Sequence, residues 1–257
     1  MKFKKIAALL GAFTIASSLL IAGCGNAGNS QKTWRVGTDA TYAPFGFKDK
    51  DSGKLAGFDI DIINAIANEE GIEADIQNLN FDALLPALQS NTIDIAISDM
   101  TISEERAKSV DFSKPYYIAG NGLVVNIDNT NINSFKDLEG KRIGVSIGST
   151  GAEIASKIPN ADVRQFNIIV DAFLELQNKG VDVVINDTPV NEYYVNGKGK
   201  GIAKVTGEDY DAAPLGIAVK KGNTELVKAM DAVLEKMTAA DFDKMMDEAI
   251  KKQPLAQ

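Results

Sequence analysis

The side chains of this chain that could most clearly bind a ligand or take part in chemistry lie close together, between positions 98 and 106. Ser98, Asp99 and Thr101 supply two hydroxyls and a carboxylate. Arg106 supplies a guanidinium group, whose planar fork suits bidentate binding of a carboxylate. The apolar residues just before them predict that a strand ends here and a helix begins, a place where open α/β sheets bind ligands. Taken alone, the stretch fits equally well a short surface helix on which Arg106 pairs with nearby acidic residues.

Further polar clusters follow other predicted strands, at residues 39–42, 146–151 and 186–189. Backbone amides over 148–151, at the start of a predicted helix, offer an anion site, although Gly-Ser-Thr-Gly also forms an ordinary turn. Asp187 follows the apolar run VDVVI, so its carboxylate is expected at the rim of a sheet; capping of the next helix is the alternative. Tyr42 and Phe81 offer aromatic faces to a ligand, although core packing is the commoner fate of a single aromatic.

The elements that must position these clusters alternate between strands and helices. A first series has strands at 34–38, 73–79 and 92–98 and helices at 58–70 and 81–90, the latter with Pro86 in its first turn. A second series has strands at 122–126, 142–147, 163–166, 181–185 and 202–205, with helices at 150–157, at 169–178 and after Thr188, the predicted N-cap. A strand at 215–219 resembles those of the first series, and helices at 224–237 and 239–251 follow it. This order is typical of an α/β fold.

Composition excludes several kinds of chemistry. The chain has no histidine, which excludes histidine-based catalytic triads and histidine metal sites. Its single cysteine excludes a disulfide within the chain and a paired-cysteine zinc site. No phosphate-binding loop with a lysine is present, and we expect neither a metal nor another cofactor. After residue 23 the chain carries 24 basic and 35 acidic side chains, a net charge of −11, which argues against nucleic acid as a partner.

The first 32 residues are predicted to lie outside the fold. Residues 1–23 have three lysines followed by an apolar run, the layout of a secretory signal. The run ends in Leu-Ile-Ala-Gly-Cys24, which resembles the lipobox of bacterial lipoproteins and implies cleavage before Cys24, acylation of its sulfur and attachment to a membrane. An uncleaved anchor and a secretory signal with an unrelated cysteine are the alternatives. Residues 24–32 are predicted to be a flexible tether, and the rest is long enough for two modest domains.

A resemblance to a known family is carried by six segments, which occur in the order VGTDATYAPFGF, GFDIDIINAIA, FDALLPALQSNTIDIAIS, MTISEERAKSVDFSKPYY, VSIGSTGAE and AFLELQNKGVDVVINDTPVNEYY. Together they resemble the extracellular solute-binding proteins (family 3) of ABC importers for polar amino acids, in particular lipoproteins that bind glutamine or basic amino acids. The similarity covers nearly the whole chain after the signal.

The resemblance implies a two-lobed periplasmic-binding-protein type II fold of the α/β class. Each lobe is expected to be a mixed sheet flanked by helices, with one amino acid held between the lobes. Lobe 1 would comprise residues 33–115 and 216–251, and lobe 2 would comprise 121–210. Two hinge segments would join them, at 116–120 and 211–215.

The resemblance also implies a role for individual residues. Arg106 matches the family's clamp on the ligand α-carboxylate, assisted by Thr101 and by the backbone around Thr150, and Asp187 matches the acid that pairs with the α-ammonium group. Asp39 lies where the family contacts the ligand side chain. The complete ligand-binding set is predicted to be Asp39, Tyr42, Phe81, Ser98, Asp99, Thr101, Arg106, Ser149, Thr150 and Asp187, with Tyr42 and Phe81 as aromatic walls. Placing the two charged partners on different lobes would let the ligand stabilise the closed form.

Asp99 and the C-terminus depart from the family pattern. Asp99 stands where relatives often have glycine or serine, so it adds a negative charge near Asp39 and Asp187 that would favour a cationic ligand such as arginine or lysine. Contact with the α-ammonium group, or a side chain that points away, are the alternatives. The segment RQF and, later in the chain, the segment NDTP are more similar to those of glutamine-binding proteins. The last residues, KMMDEAIKKQPLAQ, replace the aromatic ending of relatives, which leaves the packing of the last helix open.

The sequence therefore predicts a monomeric binding lipoprotein, and not an enzyme, on the extracellular face of a bacterial cell membrane. In an organism with an outer membrane this would be the periplasmic side. It would capture free glutamine, arginine or lysine and deliver the amino acid to an ABC permease. One alternative is an enzyme on the same fold, a cyclohexadienyl or prephenate-type dehydratase, which would need a general acid or base in the cleft. The other is an amino acid sensor or adhesin that does not transport.

Overall fold

The structure is a computed structural model and describes residues 32–252. The predicted signal peptide, Cys24 and nearly all of the predicted tether lie outside the described residues. Between 32 and 252, no helix has both the length and the apolar character needed to cross a membrane.

The first of two five-stranded sheets is mixed, with the strand order β5-β1-β6-β13-β7. Its members are β1 (Thr33–Thr38), β5 (Glu73–Asn78), β6 (Ile95–Ala96), β7 (Val110–Phe112) and β13 (Ala218–Lys220). β1 is parallel to β5 and β6, whereas β13 runs antiparallel to β6 and β7. The strand predicted at 215–219 therefore does return to the first series. A small three-stranded sheet lies beside it, formed by β2 (Thr41–Tyr42), β3 (Gly46–Lys48) and β4 (Leu55–Ala56).

The second sheet is also mixed, with the order β10-β9-β11-β8-β12. Its members are β8 (Tyr117–Asn126), β9 (Arg142–Ser146), β10 (Asp162–Phe166), β11 (Val183–Asp187) and β12 (Ala203–Leu215). β9 is parallel to β10 and β11, and β8 is antiparallel to β11 and β12. Parallel neighbours end at the same edge of a sheet, so the loops after β1 and β6, and those after β9 and β11, are brought together in pairs.

The helices of the first series are α1 (Phe58–Glu69), α2 (Phe81–Gln89) and the short α3 (Glu104–Ala107), and the chain's last two are α7 (Thr224–Leu234) and α8 (Ala239–Lys252). The second series has α4 (Thr150–Ala155), α5 (Ile169–Gln177) and α6 (Thr188–Asn196), with a 3-10 turn at Phe135–Asp137. In α1, Ile62, Ile63 and Ile66 are fully buried because their helical spacing places them on one face. Burial of each such side chain contributes about 1.5–3 kcal/mol. The apolar strand β11 is buried along its whole length, as expected for a central strand covered on both faces.

The two segments predicted as hinges pair with each other. Tyr117 is opposite Leu215 and Ile118 is opposite Pro214, so the start of β8 and the end of β12 form an antiparallel ribbon. The register of this ribbon shifts between Tyr210 and Ala213, where Asp211 has a positive φ of 53°. The ribbon thus contains a local irregularity beside the predicted hinge positions.

Several local predictions were wrong. Pro86 lies inside α2, not in its first turn; Asp82, four residues earlier, is exposed, so water can satisfy the carbonyl that loses its helical partner. The strand predicted at 92–98 is reduced to Ile95–Ala96, because the chain turns away to form the polar loop. The strand predicted at 202–205 extends to Leu215, because β8 provides a partner that no local pattern shows.

Candidate functional site

All ten residues predicted to bind a ligand line one cavity. They come from β2, from the loops after β1, β6 and β9, from the last residue of β11 and from the helices α2, α3 and α4. Ser146, the last residue of β9, is an eleventh member; the sequence placed it in a polar cluster but not in the predicted ligand-binding set. The lining is Asp39, Tyr42, Phe81, Ser98, Asp99, Thr101, Arg106, Ser146, Ser149, Thr150 and Asp187. Strand ends from both sheets therefore build a single site.

Arg106 is a buried side chain, not a surface residue. It lies in α3, whose N-cap Ser103 accepts a hydrogen bond from the Arg106 backbone nitrogen. Its side chain is held on two sides, because Nη1 donates to the Thr101 carbonyl oxygen at 2.9 Å and Nη2 donates to the Gly148 carbonyl oxygen at 3.0 Å. The guanidinium carbon lies 5.2 Å from the centre of the Phe81 ring.

The Arg106 guanidinium remains a cation and has N–H donors beyond the two that bind the carbonyl oxygens. Burial lowers its pKa, while the negative charges of Glu153, Asp187 and Asp99 oppose this effect. Arginine stays protonated in proteins, and its five N–H donors exceed the two hydrogen bonds described above. The residue can therefore bind an anion in the cavity without releasing either carbonyl.

Asp187 presents a carboxylate from the opposite sheet. It occupies the N-cap position of α6, yet its side chain makes no capping hydrogen bond. Instead, the Tyr42 hydroxyl donates to Asp187 Oδ2 at 2.6 Å and also contacts the side-chain amide of Asn186. Burial raises the pKa of Asp187 to about 6, and Tyr42 and Arg106 partly offset the effect. Capping, the alternative role considered for this carboxylate, is excluded.

Thr188 is not the N-cap of α6, which corrects the prediction. It is the first residue of the helix, and its hydroxyl donates to Asp209 Oδ1 at 2.6 Å. The cap falls one residue earlier because β11 leads directly into the helix through Asp187.

Asp39 is partly engaged by its own loop. Its Oδ1 accepts hydrogen bonds from the Thr41 nitrogen at 2.9 Å and from the Thr41 hydroxyl at 2.7 Å, which is an Asx turn. The Asp39 backbone nitrogen donates to Ser98 Oγ at 3.0 Å, so the loops after β1 and β6 are fastened together. Burial raises the pKa of Asp39, with the Thr41 hydrogen bonds acting against it and the charge of Asp82 adding to it.

The loop after β9 is shaped by one cap and one close packing contact. Ser149 caps α4: its Oγ accepts from the Ala152 nitrogen at 3.1 Å and donates to the Ser146 carbonyl oxygen at 2.8 Å. Its hydroxyl is therefore already used within the loop. Gly151 is required because a Cβ there would lie 2.8 Å from the Ile185 carbonyl oxygen. Thr150 Oγ1 accepts a hydrogen bond from Asn121 Nδ2 at 3.2 Å.

Asp99 and Asp59 form a buried acidic pair beside the cavity. Asp99 adopts a left-handed backbone conformation with φ 48°, and its nitrogen donates to Asp59 Oδ2 at 2.7 Å. Both Asp99 carboxyl oxygens and Asp59 Oδ1 are buried without a hydrogen-bond partner. Asp59 was not predicted as a site residue, although an acid among the buried positions of α1, in GFDIDI, is a signal that could have found it.

Burial raises the pKa of both acids in this pair. The pKa of Asp59 rises to about 7, with the Asp99 backbone hydrogen bond acting in the opposite direction. The pKa of Asp99 rises well above its ordinary value through burial first and then through the charges of Asp187 and Asp59; Arg106 lowers it. Neither acid forms a salt bridge within residues 32–252.

The stability of the protein is expected to fall as the pH rises between about 4 and 7, because of Asp59. Its pKa is 3.8 ordinarily and about 7 in the fold, so in this window the folded state holds a proton that the unfolded chain has lost. The contribution of Asp59 to the free energy of unfolding is fully present below its pKa in the unfolded chain and is lost as the pH rises through its pKa in the folded protein. The free energy of unfolding therefore falls by up to about 4 kcal/mol across this window. Urea unfolding of the wild type and Asp59→Asn at several pH values measures it. Parallel pH profiles for the two proteins would contradict the expectation.

The site is tightly closed. Its free volume is about 20 Å³, little more than one water molecule needs. Three hydrogen bonds cross the gap at this point, one from Arg106 to Gly148 and two from the Tyr42 hydroxyl to Asn186 and Asp187. A small organic ligand can enter only if these contacts open or the side chains move apart.

A second, larger cavity lies next to the site but has a different character. Its volume is about 280 Å³, and it lies between the β2–β3 hairpin and the helices α5 and α6. Its lining is mainly aliphatic and aromatic, with Lys48 and Lys198 but no carboxylate. It lacks the paired charges that a zwitterion requires. The described residues contain no group of three or more metal-ligating side chains arranged to hold a metal ion.

The family assignment rests on nearly the whole of the described chain. Residues 34–252 match the model of the bacterial extracellular solute-binding proteins, family 3. This chain belongs to that family. The match includes both sheets and every strand end that lines the cavity, so this solute-binding protein carries its site within the family's shared region.

Two relatives carry names that refer to histidine binding. This solute-binding protein is 33% identical over 250 residues to the "Probable histidine-binding protein" of Neisseria gonorrhoeae, covering 92% of each chain. It is 43% identical over 162 residues to the protein of the same name from Campylobacter jejuni; that alignment spans 63% of this chain and 62% of the relative.

Solved structures extend the comparison. Two structures of an ancestral arginine-binding protein, one bound to arginine and one to glutamine, are 43% identical to this solute-binding protein and superpose with TM-scores of 0.81 and 0.78. Each covers 85% of this chain, and the alignment spans 98% and 97% of the ancestral chains. A third, at 38% identity and a TM-score of 0.77, is an ancestral amino acid-binding protein that is a precursor of cyclohexadienyl dehydratase; it covers 85% of this chain and 95% of the other. The predicted two-lobed α/β fold is confirmed.

Proposed function

We propose that this protein binds a free L-amino acid between its two lobes and delivers it to an ABC importer. The observation that carries the proposal is the placement of two buried charges around one cavity. Arg106 reaches it from the first sheet, and Asp187 reaches it from the second. This pair matches the opposite charges of an amino acid zwitterion.

Burial of a zwitterion requires such partners. Both of its charged groups lose hydration in the cavity, and charge-assisted hydrogen bonds offset that cost. Arg106 would take the α-carboxylate with help from Thr101 and the amide at Thr150, and Asp187 would take the α-ammonium group. A ligand that touches both sheets stabilises the closed arrangement specifically, as a hinge-closing binder needs.

The lobes would have the boundaries expected from the family resemblance, with residues 33–115 and 216–251 in one and 121–210 in the other. The paired strands β8 and β12 support this division, since they are the segments that run from one sheet to the other. Their register is irregular around Asp211, and the strands would bend there. Opening there would give an amino acid access to a site that is otherwise too small.

We further propose that the protein is a monomeric lipoprotein held on the extracellular face of the membrane through Cys24, where an ABC permease receives the ligand. The lipobox-like ending of the apolar run supports the anchor. The relatives named above support the substrate class, a polar or basic amino acid. Asp39, with Asp82 close by, gives the side-chain end of the cavity a negative character that suits arginine or lysine. Glutamine is the neutral candidate.

Calorimetric titration of the mature protein with each of the twenty amino acids tests the proposal. One saturable site for arginine, lysine or glutamine is the expected outcome. Absence of binding to every amino acid would refute it. A dehydratase is the competing function, suggested by the solved precursor structure. Assay of the same protein with prephenate separates the two, since turnover would favour the enzyme and no turnover is expected from a binding protein.

A further inference from the structure

We propose that Asp99, positioned by Asp59, receives the α-ammonium group of the ligand together with Asp187, and that binding releases a proton held by this buried acidic pair. The inference rests on the proposed amino acid binding and goes further. It assigns a role to Asp59, which does not line the cavity, and it makes capture of the ligand dependent on pH.

The position of Asp99 is the first observation. The residue lines the cavity and is 4% exposed, yet neither carboxyl oxygen has a hydrogen-bond partner. A buried polar group without a partner is costly, and an ionised one is far more so. Such a carboxyl is suited either to hold a proton or to meet a cation in the cavity.

Asp59 explains why the Asp99 side chain is there. A left-handed backbone is uncommon for residues other than glycine, and it is stable only when the surroundings impose it. The Asp59 carboxylate imposes this conformation, because its Oδ2 accepts a hydrogen bond from the Asp99 backbone nitrogen at 2.7 Å. The Asp59 side chain itself has no solvent exposure. Asp59 is therefore a positioning residue, and it adds a second acid directly behind the first.

The charges around Asp99 decide which cation it meets. Groups face it from every neighbouring element: Asp59 of α1, Arg106 of α3, Asp187 of β11, Tyr42 of β2, Tyr117 of β8 and Tyr116 just before that strand. Of these, the opposing carboxylate of Asp187 acts on it most strongly, whereas Asp39 is influenced by Asp82 at another part of the site. We therefore place Asp99 near Asp187, the proposed partner of the α-ammonium group, because both line the cavity and the charge of Asp187 raises the pKa of Asp99.

The proton follows from the charge balance. Arg106 is the cation that acts on Asp99, and a bound amino acid would match it with the α-carboxylate. Without an ammonium group, Asp59, Asp99 and Asp187 crowd three carboxyls into a site with little water, so protonation of one relieves the repulsion. An ammonium group has three N–H donors and can satisfy Asp99 and Asp187 together. The proton then leaves to solvent, and no covalent bond changes.

Calorimetry in buffers of different ionisation enthalpy tests this, with L-arginine and L-glutamine as probes of the full mature protein. The wild type should release close to one proton for either ligand, and its affinity should rise with pH by up to about tenfold per unit. Asp99→Asn keeps the shape and tolerates the left-handed backbone, so it should bind with a smaller proton release and a weaker dependence of affinity on pH than the wild type. In Asp59→Asn, the side-chain oxygen can still accept a hydrogen bond from the Asp99 backbone nitrogen. This variant should therefore bind the ligand, with proton release shifted to lower pH.

Asp61→Asn is the matched control. It makes the same change two positions along α1, in a surface pair with Lys252 at 2.7 Å, and should leave proton release unchanged. Binding of both ligands without proton release would overturn the inference and leave the proposed function standing. Release with arginine alone would also overturn it, because Asp99 would then meet the side-chain cation. Failure of arginine, glutamine and every other amino acid to bind would remove both proposals.

Discussion

Arg106→Ala should weaken amino acid binding by about 30-fold to several thousand-fold. The ligand α-carboxylate would enter a buried site without its charge-assisted partner, and truncating one member of such a pair costs about 2–5 kcal/mol, each 1.4 kcal/mol being about tenfold in affinity. The loss should affect every amino acid alike, because the α-carboxylate is common to all. Arg106→Lys should recover part of the affinity, since lysine keeps the charge but not the planar fork. Calorimetric titration measures both variants.

The control for Arg106 is Arg164→Ala. Arg164 is a half-exposed arginine paired with Asp162 at 3.1 Å, away from the cavity, so its removal should leave binding unchanged. Arg106 also holds the carbonyls of Thr101 and Gly148, so its variant should be checked for folding by circular dichroism and urea unfolding. A folded Arg106→Ala protein with unchanged affinity would show that the carboxylate is held elsewhere.

Asp187→Asn should have the second large effect, a loss of about 30-fold to 1000-fold for amino acids. Asparagine keeps the size of the side chain and can still meet the Tyr42 hydroxyl, but it removes the charge opposite the α-ammonium group. The loss should nearly vanish for an analogue that lacks the α-amino group, because that analogue never uses Asp187. Competition titration with the amino acid and its deamino analogue measures the difference.

Asp128→Asn is the matched control for this second prediction. Asp128 is an exposed acid of the same half of the protein, paired with Lys179 at 3.2 Å. Its substitution removes one negative charge without reaching the cavity, so affinity should not change. An equal loss in the Asp128 and Asp187 variants would mean that net charge, and not a contact with the ammonium group, governs binding.

Much of the fold followed from local patterns. The spacing of Ile62, Ile63 and Ile66 identified α1, and the apolar run before Asp187 identified a central strand, because one-sided and two-sided burial leave different periodicities. The interior position of Pro86 and the long strand β12 were not predictable in this way. The first depends on whether one carbonyl can reach water, and the second depends on pairing with a distant strand.

Most of the candidate site could also be predicted from the sequence. Parallel strands end at the same edge of a sheet, so polar residues that follow them in sequence meet in space, and all ten predicted residues do line one cavity. The individual roles remain predictions. Ser149 shows why residue type is insufficient, because its hydroxyl is engaged in capping α4. Asp59 shows the converse, since it influences the site from the interior of α1.

By itself, the sequence determined the α/β class and the polar clusters that follow the predicted strands, and six of its segments showed the resemblance to the family. The class and the clusters depend on hydrophobic period and on the order of elements, which are local properties of the chain. Only the tertiary structure decided that Arg106 is buried and held across the gap by Gly148, that Asp187 is free of capping and that Asp99 is backed by a second buried acid. The burial, the charge environment and the hydrogen-bond partners of these side chains depend on residues that are distant in sequence. They are therefore set only when the two sheets pack around the site.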